Sequence, residues 1–156
     1  MKVDLTNIHT PHSDCSSMSR DELRVSIVGD VKLREDPGGQ SLELTGVAAV
    51  FFLESFRDAL DRVIMQRKER HSFVDFYDEY SIVLSRTSDG TVQVREESQI
   101  QTIELRIDEL QIALPAWFFQ PLNAIEVALP DLHRNLEYHN FKEETIHWVQ
   151  SFVQRL

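Results

Sequence analysis

The spacing of apolar and polar residues changes along the chain, and each change marks an element. From Leu23, apolar residues fall at every second position: Leu23, Val25, Ile27, Val31 and Leu33 alternate with Arg24, Ser26, Asp30 and Lys32. A period of two predicts a half-buried strand, and Gly29 within it predicts a bulge. Asp36-Pro37-Gly38-Gly39 predicts a turn. Leu42 and Leu44, alternating with Glu43 and Thr45, predict a return strand that runs on through Val47 toward Phe51.

The period then becomes helical. Phe52, Phe56, Ala59, Leu60, Val63 and Ile64 fall in one stripe, with Glu54, Asp58, Asp61 and Arg62 opposite it. The run Arg67-Lys68-Glu69-Arg70 suits the C-terminal end of that helix, where cations complement the dipole. Alternation returns in three further stretches. They are Phe73-Asp75-Tyr77, Tyr80-Ile82-Leu84 and, after a Ser88-Asp89-Gly90 turn, Val92 and Val94; Ile103-Leu105-Ile107 adds another strand. The last third is helical. Pro115 and Pro130 suit first turns, Pro121 separates or kinks two pieces, and Asn140 with Glu143 forms a capping box for a final helix. Ile146, Val149, Val153 and Leu156 form the stripe of that helix, widened by Trp148 and Phe152.

Residues 1–20 show no period and are expected to form a polar arm. The remainder, residues 21–156, is expected to form a single α+β domain. Its mostly antiparallel sheet of about five to six strands packs against one long helix and a C-terminal helical segment, because consecutive strands join by tight turns.

Composition narrows the function classes. The 156 residues fit one domain of ordinary size. Cys15 is the lone cysteine, so no internal disulfide forms. The net charge is −10, from 26 acidic and 16 basic residues, which argues against nucleic acid and anionic membranes and favours a basic protein partner. Met1-Lys2-Val3-Asp4-Leu5 lacks the apolar stretch of a secretory leader, and no apolar run is long enough to cross a bilayer, so a cytoplasmic protein is expected.

Candidate chemistry is scattered. His9, His12 and Asp14 offer imidazole and carboxylate groups for a divalent metal, the one cofactor the sequence suggests. Asp75, Asp78 and Glu79 gather acidic side chains near Tyr77 and Tyr80. Trp117-Phe118-Phe119 cannot all face one core from a helix, which makes Trp117 and Phe118 candidate partner-binding residues together with the three acids. Glu144 and His147 have the Glu-x-x-His spacing of di-iron bundles, but one copy leaves a solvated face as the simpler reading. No nucleophile elbow or phosphate-binding glycine loop is present.

Two resemblances follow from these residues. Asp4, Leu5, His9, Thr10, Ser13 and Asp14 resemble the opening motif of the polymerase-and-histidinol-phosphatase metal-dependent phosphoesterases, and Ser19-Arg20-Asp21-Glu22-Leu23 resembles the segment that follows it there. Asn7 stands where that motif has its first ligand histidine. This resemblance implies a divergent or degenerate phosphoesterase using the His9–Asp14 region and a larger α/β barrel. In general layout the chain also looks like small acidic bacterial immunity or antitoxin proteins, with strands, a Phe56-to-Leu60 helix, a Ser-Asp-Gly hairpin and C-terminal helices. That likeness implies a non-catalytic module binding a basic partner, and is the preferred expectation.

Overall fold

The computed structural model describes residues 1–35, 38–87 and 90–156. Asp36-Pro37 and Ser88-Asp89, from the two expected hairpin turns, lie outside the described residues. The fold is α+β, with two antiparallel sheets. The first sheet holds β1 (Lys2–His9), β2 (Val28–Arg34) and β3 (Ser41–Ala48) in that order. The second holds β4 (Arg70–Val74), β5 (Ser81–Arg86), β6 (Thr91–Glu96) and β7 (Thr102–Arg106), also in chain order. Four α-helices complete the described fold: α1 (Arg20–Ser26), α2 (Ala49–Leu60), α3 (Leu110–Ala128) and α4 (Leu136–Arg155). No helix among the described residues is long and apolar enough to cross a membrane.

Several sequence expectations change. Residues 2–9 are a sheet strand and not a polar arm, because Val3 and Leu5 turn into the core while β1 pairs with β2. The alternation from Leu23 begins only at β2; residues 20–26 are helical. Ser19 caps that helix through the Glu22 N–H, and Glu22 accepts from the Ser19 N–H in return, so a capping box overrides the local period of two. One sheet becomes two. β3 and β7 approach each other edge to edge, but side chains bridge them where a ladder would form. Thr102 N–H donates to Gln40 Oε1 at 2.9 Å, Glu104 N–H to Glu35 Oε1 at 3.0 Å, and Gln99 Nε2 to the Glu43 carbonyl at 3.3 Å.

β3 ends at Ala48 and α2 starts at the next residue. The first helical N–H, from Ala49, is satisfied by the Ile27 carbonyl at 2.8 Å. After α2, a π-helical turn (Asp61–Met65) closes the helical path. The basic run therefore straddles a connector and the start of β4 instead of ending a helix. α3 starts five residues before Pro115 and runs through both Pro115 and Pro121, because a 3₁₀ turn (Ile107–Glu109) leads straight into it. Pro130 opens a 3₁₀ turn as expected. The final helix begins four residues before Asn140. Its cap is Asn135, which is buried; Asn135 Oδ1 accepts from the Tyr138 N–H at 2.8 Å, and Nδ2 donates to the Cys15 and Met18 carbonyls. The buried stripe is accordingly Tyr138, Phe141, Thr145, Val149 and Phe152.

The core is organised by aromatic rings. Phe73 of β4 meets Phe52 of α2 edge-on at 5.9 Å, and Phe52 stacks on Phe56 at 5.7 Å. Phe56 stacks on Phe118 of α3 at 6.3 Å, Phe118 meets Trp148 of α4 at 5.2 Å, and Trp148 meets Phe152 at 4.8 Å. α2 is thus the central member of a chain of rings that joins the second sheet to the C-terminal helices. From α1, Arg20 reaches both Glu54 midway along α2 (2.7 Å) and Glu144 of α4 (2.8 Å), tying the three helices together.

The bulge expected at Gly29 is present, since the β2–β3 register shifts between Gly29 and Val31. A second shift, between Thr6 and His9, interrupts β1. Asp30 holds both. Its carboxylate accepts from Asn7 Nδ2 at 2.6 Å on one side and from the Gly46 N–H at 2.9 Å on the other. Asn7 and Gly46 have φ of 51° and 68°, the left-handed region that asparagine tolerates and glycine enters freely.

Two outcomes are expected. Phe56→Ala should lower the unfolding free energy by about 3–4 kcal/mol in urea titrations, since a fully buried ring at the centre of the core leaves a cavity. Asp30→Ala should cost about 1 kcal/mol at neutral pH. The Asn7 and Gly46 donors hold the Asp30 carboxyl below the usual carboxylate range. A depressed folded-state pKa contributes stability above the unfolded value of about 3.9, and that contribution disappears as pH falls through the folded value. The wild-type and Asp30→Ala unfolding curves should therefore converge in acid.

Candidate interaction surface

The loop between β4 and β5 is built around one carboxylate. Asp75 is buried at 3% exposure, and its oxygens accept from the Tyr80 N–H at 2.7 Å and the Tyr77 N–H at 3.1 Å. Its backbone N–H donates to the Tyr80 carbonyl, and its carbonyl accepts from the Asp78 N–H, each at 3.0 Å. An aspartate that satisfies its own loop in this way favours a tight turn over a continuing strand. Asp78 takes φ of 58° to complete the turn.

Both tyrosines then tie the loop to other elements. Tyr77 Oη donates to the Val25 carbonyl of α1 at 2.7 Å. Tyr80 Oη accepts from the Thr45 N–H at the edge of β3 at 3.1 Å. The loop is fixed at both ends, yet the apolar side chains here face outward: Val74, the last residue of β4, and Phe76 and Tyr77 of the loop are 44%, 45% and 42% exposed. Phe76 packs edge-on against half-buried Phe51 at 5.7 Å and against Tyr77 at 5.3 Å. Arg24 lies over the Phe51 ring at 5.2 Å, and Glu54 neutralises it through a 2.6 Å ion pair. Asp78 and Glu79 are exposed beside this aromatic patch. The result is a rigid, partly apolar surface with acidic neighbours.

The other sequence candidates lie elsewhere. Trp117 and Phe118 are core residues and not a surface. Trp117 is 3% exposed, with Nε1 donating to the Met1 carbonyl at 2.8 Å, and Phe118 is fully buried against Phe56 and Trp148. Phe119 is the outward member of that trio, at 38% exposure. Asp75 shapes the loop and, being buried, presents no carboxylate to a partner; Asp78 and Glu79 do.

His9, His12 and Asp14 each have a separate local partner. His9 Nδ1 lies 2.8 Å from the Asn7 carbonyl, His12 Nε2 lies 3.3 Å from Ser26 Oγ, and Asp14 accepts from the Ser16 N–H at 2.9 Å. The Ser16 contact pulls the Asp14 carboxyl below its ordinary range. Among the described residues no three His, Cys, Asp or Glu side chains are grouped to hold a metal ion. Asn7, at the position of the resembled motif's first ligand, serves the Asp30 clip. Cys15 is buried, and that burial pushes its thiol pKa upward, away from the reactive thiolate. Glu144 is engaged by Arg20, and His147 is exposed three residues further on.

The aromatic patch was not legible as a surface because Phe76 reads as one more residue of an alternating strand. The available signal was Asp75, whose side chain competes with strand pairing two residues before Tyr77. Comparison with known proteins returned no matching family model, no matching curated protein and no matching solved structure.

Asp75→Ala should cost about 2–3 kcal/mol in chemical denaturation, because two N–H groups lose a buried carboxylate acceptor. Amide hydrogen exchange should speed up at Tyr77 and Tyr80 in that variant while the amides of β2 keep their protection.

Proposed function

We propose that this chain is a non-catalytic protein-binding module that takes a basic protein partner on the Phe76–Tyr77 patch. The observation that carries the reading is the pair of exposed rings held on a loop that the buried Asp75 makes rigid. Rings already fixed in place lose little conformational freedom on binding, so more of their contact energy goes into affinity. The exposed Asp78 and Glu79 beside them, and the net charge of −10, select for a partner rich in lysine and arginine and speed its approach. A bacterial immunity- or antitoxin-like role, in which an acidic protein neutralises a basic one, is the biological form that these features suit.

The test is comparative capture from the native source with immobilised wild type, Phe76→Ala, and the Asp78→Lys/Glu79→Lys double variant. A basic protein retained stoichiometrically by wild type, weakened about 30-fold by Phe76→Ala and released from wild type by salt, supports the reading. Equal retention by all three proteins, each with an unchanged melting temperature, overturns it.

A further inference from the structure

The two sheets have four outer edges, and the structure treats one of them differently. β1 lies alongside α3. The outward groups of β3 and β7 are taken up by side chains: Thr45 N–H by Tyr80, the Glu43 carbonyl by Gln99, Thr102 N–H by Gln40, and Glu104 N–H by Glu35. β4 is the terminal strand of the second sheet and has no such closure among the described residues.

The ladder geometry shows which of its groups face outward. Arg86 N–H donates to the Glu69 carbonyl and Asp75 N–H to the Tyr80 carbonyl, so the odd-numbered residues bond to β5. In an antiparallel pair these alternate with residues whose N–H and C=O groups point away. The outward residues are therefore Arg70, Ser72 and Val74, all exposed. An uncovered edge of this kind is a template for another strand.

We infer that a second copy of this chain pairs antiparallel along β4, joining two four-stranded sheets across a two-fold axis near Ser72. Charge is the reason for choosing a second copy. The chain entering β4 carries Arg67 and Lys68, and the chain leaving it carries Asp78 and Glu79. All four are exposed, and none forms an ion pair among the described residues. Two-fold antiparallel pairing sets the positive end of each copy beside the negative end of the other, so the strand is its own electrostatic complement. Val74 of each copy is covered in the same contact. This inference does not rest on the partner-binding reading, and it competes with it: in the dimer Asp78 and Glu79 face the second copy instead of another basic partner.

Sedimentation equilibrium on the full chain tests it. Wild type is expected to be dimeric and to dissociate more readily in high salt. Ser72→Pro removes an outward N–H that no bond within the sheet uses, so the fold should survive while the dimer is lost. Two charge-reversed proteins give a control that misfolding cannot imitate. Arg67→Glu/Lys68→Glu and Asp78→Lys/Glu79→Lys should each dissociate about tenfold more readily alone, because like charges then face each other. An equimolar mixture of the two should dimerise again, since every pair is complementary in the mixed species. A wild type that stays monomeric at high concentration, leaving the edge to another occupant, overturns the inference. So does a dimer that persists in Ser72→Pro, or a mixture that associates no better than its components.

Discussion

The stacking of α2 against rings on either side of it is the contact on which the rest of the structure depends. Phe52 and Phe56 lie on one buried stripe, and through them a β-strand, α3 and α4 share a single interior. Neither sheet could cover its apolar face alone. The first has three strands and the second four, and small sheets need a packed face to be stable. α2 provides that face to β4 and at the same time positions α1 through the Arg20 and Arg24 pairs with Glu54. The aromatic patch at the surface is an outgrowth of this arrangement: Phe51, one residue before Phe52, turns outward and becomes the seat for Phe76.

The seam between the sheets has a different character. It is made of side chains bonding to backbone: glutamine, glutamate and tyrosine fill the positions that ladder partners would occupy. Such a seam satisfies the edges without fusing the sheets, and it discourages foreign strands from adding there. The same molecule leaves β4 without this treatment, and β4 adjoins the loop that exposes its rings.

How much of this was legible in the sequence depended on whether the deciding interaction was local. The long helix near Phe52, the strands around Leu42, Ile82, Val92 and Ile103, and the bulge at Gly29 follow from periodicity or a single glycine, and all are present. The α+β class followed from their order. Three of the misreadings share one cause, which is a polar side chain that bonds backbone. Ser19 and Glu22 turn an alternating stretch into α1, Asn135 in place of Asn140 starts α4, and Asp75 ends β4 early. Asn7 reads as a lost ligand until Asp30, 23 residues away in the chain, is seen to hold it. Trp117, Phe118 and Phe119 cannot all face one core, and one of them is exposed; it is Phe119, because β1 and α4 cover α3 on more than one side and bury the other two.

The direct passage from β3 into α2 has a consequence for how this chain tolerates change. With Ala48 the last residue of the strand and Ala49 the first of the helix, no slack separates them. Each helical residue advances the direction of its side chain by about 100°. A single inserted or deleted residue at this joint would therefore turn Phe52 and Phe56 away from the interior together and pull the Ala49 N–H off the Ile27 carbonyl. The joint therefore leaves no room for a change of length, whereas a residue added in a surface turn would disturb neither Phe52 nor Phe56.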